Sequence, residues 1–167
     1  LVTMGAAGRY KVRVEGSPSS HFAGVACLPT DTVTGTGKRK KKFLIVTDSY
    51  GTNVSDSGGI LGADAWPVHL SHLTGHDYVV ASAGSCGWVR DSAGALVRAS
   101  GHLEASIAAV GARNLDGVIF ALGYNDYVNS VTAAQVEAEA RICVGIVQAL
   151  LPGKDMVFLA PWTVKTL

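Results

Sequence analysis

Charge is scarce in this chain and almost balanced. Only 16% of its 167 residues are charged, 14 basic against 13 acidic, so no global field draws it to nucleic acid or to a membrane surface. Long apolar runs are also missing, and none approaches the roughly 18 residues that a membrane span requires. Cysteine is limited to Cys27, Cys86 and Cys143, with no C-x-x-C pair; the wide spacing argues against a zinc site and the odd count against a full disulfide framework. No signal peptide stands at the start, and Leu1 is not a natural initiator, so the expectation is an internal piece of a longer polypeptide. Glycine, by contrast, is plentiful at 20 residues, alongside 48% hydrophobic residues. That balance describes one loop-punctuated globular domain, able to bury roughly two-thirds of its unfolded surface, and not a disordered tail.

One charge run breaks the neutrality, Lys38-Arg39-Lys40-Lys41-Lys42. It reads as a solvated linker ahead of a strand; a patch for anionic glycans or lipids is the alternative. Before it, residues 1–37 hold short alternating stretches, Tyr10–Val14 and Phe22–Ala26, split by Gly16-Ser17-Pro18-Ser19-Ser20. Alternation bounded by turn residues predicts a small β-rich segment. Thr34-Gly35-Thr36-Gly37 reads as the joint to a second region, 38–167.

In that second region strands and helices alternate. Continuous apolar runs at Phe43–Val46, Tyr78–Ala81, Val118–Leu122 and Met156–Leu159 predict four strands, the first buried on both faces and the second also buried. Between them, Trp66, Leu70 and Leu73, then Leu103, Ile107 and Val110, fall at helical spacing. The third helix is the best marked. Thr132 and Gln135 form a capping box, Val131 and Val136 a hydrophobic staple, and Val136, Ala140, Cys143, Val147 and Leu150 one apolar face, stopped by Leu151-Pro152-Gly153. This order implies βαβ units, a parallel sheet and right-handed crossovers: an α/β fold.

In open α/β sheets function gathers beyond the carboxyl ends of the strands. The segments found there are Thr47-Asp48-Ser49-Tyr50-Gly51, Ser82-Ala83-Gly84-Ser85-Cys86-Gly87-Trp88, Gly123-Tyr124-Asn125-Asp126 and Pro161-Trp162-Thr163. Polar residues and glycines from separate parts of the chain thus converge on one rim. Ser49 stands at a tight turn, where a hydroxyl is presented and its own N–H can hold an oxyanion; it becomes a nucleophile once a base takes its proton. Gly87 offers an unobstructed N–H and Asn125 a side-chain amide, and two or three such fixed donors aimed at one point make an oxyanion hole. Plainer roles exist: Ser49 as a helix N-cap, Asn125 and Asp126 as turn residues, Asp48 as a structural hydrogen-bonding residue. His69 and His72 share a helix face with His76 just beyond, which allows a metal site, though solvent-facing helix residues fit the spacing better. Cys143 is expected in the core. Trp88, Tyr124, Tyr127 and Trp162 line a pocket or cover core edges.

These blocks resemble the SGNH (GDSL-type) hydrolases. Thr47-Asp48-Ser49 matches the Gly-Asp-Ser that ends the family's first strand, with its glycine replaced. Gly87, or less well Gly84, matches the glycine of the second block. Gly123-Tyr124-Asn125-Asp126 stands as an intact Gly-x-Asn-Asp. The resemblance runs over residues 42–167 and implies a flavodoxin-like three-layer sandwich with a central parallel sheet. It also implies an esterase acting on acyl or O-acetyl esters through an acyl-Ser49 intermediate, with Gly87 and Asn125 in the oxyanion hole and no cofactor or metal. The layout, with a β-rich segment ahead of the hydrolase-like domain, is similar to the esterase-type modules of actinobacteriophage tail proteins, which implies an extracellular or virion-associated setting.

One block is absent. The family's base and its orienting acid lie in a carboxyl-terminal Asp-x-x-His, and none of His21, His69, His72, His76 and His102 follows an aspartate by three. The expectation is a domain incomplete at its carboxyl end, whose remaining ~30 to 60 residues supply Asp and His. A small ester or acylated glycan is the expected substrate. The alternative is a non-catalytic structural or glycan-binding module of a larger assembly. A classical α/β-hydrolase elbow is disfavoured because Ser49 follows the first strand of the region. A dinucleotide-binding domain is disfavoured because no G-x-G-x-x-G follows that strand.

Overall fold

A computed structural model describes residues 40–51, 65–90 and 98–160. The β-rich reading of residues 1–37, His21, Cys27, Lys38, Arg39 and the Pro161-Trp162-Thr163 segment lie outside them. Four strands form one parallel sheet: β1 (Lys42–Thr47), β2 (Asp77–Ser82), β3 (Gly117–Ala121) and β4 (Asp155–Phe158), in the order β2-β1-β3-β4. The helices are α1 (Trp66–Thr74), α2 (Ala99–Val110), the short α3 (Tyr124–Val128) and α4 (Ala133–Leu150).

The strand order fixes the layers. The step from β1 to β2 runs one way along the sheet, whereas β2 to β3 and β3 to β4 run the other. Right-handed crossovers then put α1 on one face and α2 and α4 on the opposite one. The core follows that division. Leu44, Val46, Val118 and Phe120 point to Leu103 and Ile107 of α2 and to Cys143 and Val147 of α4. Phe43, Ile45 and Ile119 point to Trp66 and Leu70 of α1. An unbroken apolar run therefore serves two faces, with period-two alternation hidden inside it. The result is the expected α/β three-layer sandwich.

Local chemistry explains the element ends. The Thr132 side chain accepts from the Gln135 N–H and the Gln135 side chain from the Thr132 N–H, closing the expected capping box. Helix α2 has no side-chain cap of its own. Glu139, on the buried side of α4, accepts the Ser100 N–H at 3.0 Å and stands 3.9 Å from the Arg98 guanidinium. A carboxylate from a neighbouring helix thus holds the amino-terminal end of α2, where orphan N–H groups and the helix dipole favour negative charge. Lys40 and Lys41 pair with Asp77 and Asp155 at the bases of β2 and β4.

Two details of the helices differ from the sequence pattern. Leu73 is exposed, because the α1-side cluster ends at Leu70 and Tyr78 and the last turn extends past it. Leu150 is exposed and Leu151 buried instead: the chain leaves helical geometry at Leu151, which turns that side chain inward. Trp88 covers a core edge, at ring-centroid distances of 5.2 Å from Phe120 and 6.0 Å from Phe158.

Cys143 is fully buried, as expected. Burial first, and the Glu139 carboxylate second, push its thiol from an ordinary 9.0 up to about 12. The folded protein keeps a proton that the unfolded chain releases, so this group's contribution to stability is lost as pH rises from 9 toward 12. Iodoacetamide at about pH 8.5 is expected to leave Cys143 unmodified in the native protein and to alkylate it in urea, as read by peptide mass mapping.

Candidate active site

The switch in strand order lies between β1 and β3, and that is where an open α/β sheet leaves a crevice outside its carboxyl ends. Thr47 is paired with Ser82 on one side and Ala121 on the other, so the loops after β1, β2 and β3 start at one level. Asp48 and Ser49 follow β1. Cys86 and Gly87 follow β2. Asn125 and Asp126 follow β3. The fold thus brings all three predicted residues, Ser49, Gly87 and Asn125, to one rim.

Ser49 opens a 3₁₀ turn, Ser49–Gly51, and is half-buried. Asp48 holds the turn. Its Oδ1 accepts the Tyr50 N–H at 2.9 Å, and its carbonyl accepts the Gly51 N–H at 3.1 Å. Asp48 is therefore the hydrogen-bonding residue that the sequence suggested. Burial raises its carboxyl above the ordinary value, opposed by the Tyr50 N–H. Gly51 is required to be small, since a Cβ there would stand 2.0 Å from Thr47 Cγ2.

Asn125 ties two loops together. Its Nδ2 donates to the Cys86 carbonyl at 2.7 Å and, more weakly, to Asp48 Oδ2 at 3.4 Å. It sits in α3, the short helix entered through Gly123 at φ 123°, a conformation that favours glycine.

Asp126 is the best-held polar group of the rim and is only 1% exposed. Its Oδ2 accepts the Trp88 N–H, and its Oδ1 accepts those of Val89 and Arg90, both at 3.0 Å. The loop after β2 is thereby wrapped around one carboxylate. This also accounts for Gly87: a Cβ there would fall 2.2 Å from Asp126 Oδ2. In the structure the Gly87 N–H donates to the Arg90 carbonyl at 2.9 Å, inside the same loop. The neighbouring Ser85 takes φ 59°, left-handed for a non-glycine residue.

The histidines divide. His69 and His72 lie on the exposed side of α1. Phe43 packs against the His76 ring at 5.8 Å. His102, to which the sequence gave no role, sits in the first turn of α2 with Nε2 3.8 Å from Cys86 Sγ, and burial lowers its pKa, favouring the neutral ring. No His, Cys, Asp or Glu side chains cluster in threes among the described residues. No described helix is long and apolar enough to cross a membrane.

At the carboxyl ends of β1 and β3 a small, mostly apolar pocket of about 40 Å³ opens between Asp48, Tyr50, Trp66, Leu122, Tyr124 and Leu159. The Tyr50 and Tyr124 rings meet edge to face, with centroids 5.5 Å apart and an 89° interplanar angle. Tyr124 thus lines this pocket, and Trp88 is not among its walls.

No family model matches the sequence, and no curated protein is similar to it. Solved structures do resemble it in fold. A lipolytic protein of the G-D-S-L family from Desulfitobacterium hafniense superposes with a TM-score of 0.56 at 14% identity, over 76% of this chain and 63% of that one. A carbohydrate acetylesterase family member from Sinorhizobium meliloti gives 0.53 at 23% identity, over 65% and 54%. A family two carbohydrate esterase from Clostridium thermocellum, solved with cellohexaose, gives 0.64 at 10% identity, over 80% and 47%. The chain therefore spans less than two-thirds of each of these proteins. The likeness is one of fold: this is the α/β architecture found in G-D-S-L lipolytic proteins and carbohydrate esterases.

Proposed function

We propose that this chain forms the nucleophile and oxyanion side of a serine-esterase site that cleaves acyl or O-acetyl esters. The observation that carries the reading is the placement of Ser49 and Asn125 at the β1/β3 switch point, joined through Asp48. The esterases and lipolytic proteins that share the fold support the reaction class.

In this reading Ser49 Oγ attacks the ester carbonyl carbon and gives its proton to a base. The base and its orienting acid are a His and an Asp from the remainder of the same polypeptide. Carbonyl electrons move onto oxygen, and the tetrahedral intermediate is held by the Ser49 N–H and the Asn125 amide. Collapse expels the alcohol, which takes the proton, and leaves acyl-Ser49; water attacks in turn and restores the serine. The 3.4 Å bond from Asn125 to Asp48 is long, so the amide can exchange it for a charged oxygen. The Gly87 N–H joins the hole only if it gives up the Arg90 carbonyl, which makes Asn125 the larger contributor.

Asn125→Ala in the full-length protein is expected to lower kcat toward p-nitrophenyl acetate by about 10²- to 10³-fold, with a smaller change in KM. An unchanged kcat would sink the oxyanion role. The bond from Gly87 to Arg90 also favours a second reading, a rim kept for binding acylated glycans without turnover. A folded full-length protein that hydrolyses no ester would leave that reading in place.

A further inference from the structure

We infer that Asp48 is a positioning residue of this centre: its buried carboxylate couples the turn that presents Ser49 to the side-chain amide of Asn125. The inference rests on the esterase reading and adds to it the group that aims the oxyanion donor.

The carboxylate faces two ways. Oδ1 accepts the Tyr50 N–H at 2.9 Å, within the Ser49 turn. Oδ2 faces Asn125 Nδ2 at 3.4 Å, 77 positions along the chain. The turn needs only the first of these. Its other bond runs from the Gly51 N–H to the Asp48 carbonyl and asks nothing of the side chain. A serine or an asparagine would serve the Tyr50 N–H as well. Neither would bring a charge that is costly to bury, and Asp48 is 3% exposed. What the carboxylate adds is a second acceptor oxygen, pointed across the rim.

That second oxygen decides which end of the Asn125 amide meets the site. A carboxamide has a donor end and an acceptor end of nearly one shape, and a flip exchanges them. The wrong end would set a carbonyl oxygen against an oxyanion. The Cys86 carbonyl holds the amide nitrogen at 2.7 Å, and Asp48 Oδ2 stands on the same nitrogen. Acceptors from two loops therefore select the donor end. The bond to Asp48 is long, so it orients the amide without sequestering it. A carboxylate beside a forming oxyanion also repels it, and the Cys86 carbonyl keeps part of the alignment alone. The net gain is therefore modest, about 10-fold in rate.

The test is a double-mutant cycle in the full-length protein, read as kcat toward p-nitrophenyl acetate. Asp48→Asn keeps an acceptor for the Tyr50 N–H and sets one NH2 group against that of Asn125. It is expected to lower kcat by about 10-fold, with KM changed by less than about twofold. In the Asn125→Ala background the same change is expected to cost less than about twofold, because the group it aims is gone. Asp48→Ser, whose hydroxyl can hold the turn but falls short of Asn125, is the second variant should Asp48→Asn misfold. The same coupling is expected of it. Equal losses in the two backgrounds would show a role independent of Asn125 and overturn the inference, as would an unchanged or raised kcat. A loss as deep as that of Ser49→Ala would mark Asp48 as a proton acceptor and overturn it too. Loss of the fold in both variants would assign the carboxylate to the scaffold. A folded full-length protein that hydrolyses no ester would overturn the esterase reading, and this inference with it.

Discussion

Replacing Ser49 by alanine in the full-length protein is expected to cut ester hydrolysis by about 10⁴- to 10⁶-fold, to the residual level that an oxyanion hole supports alone. The loss belongs to the chemistry and not to the fold. The turn that presents Ser49 is held by Asp48, through its carboxylate to the Tyr50 N–H and its carbonyl to the Gly51 N–H. Both bonds survive the substitution. Ser49 is half-buried, and deleting one hydroxyl there costs on the order of 1 kcal/mol. Thermal denaturation should therefore shift by only a few degrees. A large drop in the midpoint accompanying the loss of rate would assign Ser49 to the scaffold instead.

Asp126→Ala is expected to destabilise the domain by about 3 to 5 kcal/mol, because it strips three backbone N–H groups of their shared charged acceptor. Against a typical total of roughly 5 to 15 kcal/mol this is a large share. Gly87→Ala attacks the same contact from the other side, since its Cβ would lie 2.2 Å from Asp126 Oδ2. The carboxylate cannot swing away without abandoning its N–H partners, so a cost of about 2 to 3 kcal/mol is expected. Removing the carboxylate vacates the space that the new methyl needs. Gly87→Ala made in the Asp126→Ala background should then cost less than about 1 kcal/mol, a coupling of about 2 kcal/mol. Urea unfolding of the four proteins measures the cycle. Additive costs would show that Gly87 is glycine for another reason.

The sequence carried the architecture well because its signals were redundant. Apolar runs, the capping box at Thr132 and the stop at Leu151-Pro152-Gly153 agreed with one another, and a central strand buried on both faces leaves little freedom in where Phe43–Val46 can go. The rim was legible for the same reason: residues directly after a buried strand have few places to be. What escaped depended on partners distant in the chain. Asp126 reads as a turn aspartate until three N–H groups 36 to 38 positions away close on it. Glu139 has no motif around it, and its role emerges only where the end of α2 meets it. Gly87 reads as an N–H donor, and nothing in the sequence shows that its lack of a side chain is also what Asp126 requires. His102 had no motif around it, and only packing sets it against Cys86. The one signal available for Asp126 was its place in Gly-x-Asn-Asp, a motif that marks the aspartate without stating what it binds.

Ser49 is proposed as the nucleophile of the rim. The most direct measurement is intact-mass analysis of the full-length protein after treatment with a fluorophosphonate, followed by peptide mapping of the adduct. A single phosphonyl adduct on Ser49, absent from the Ser49→Ala variant, is the predicted result. An adduct on another residue, or none on a folded protein, would contradict it.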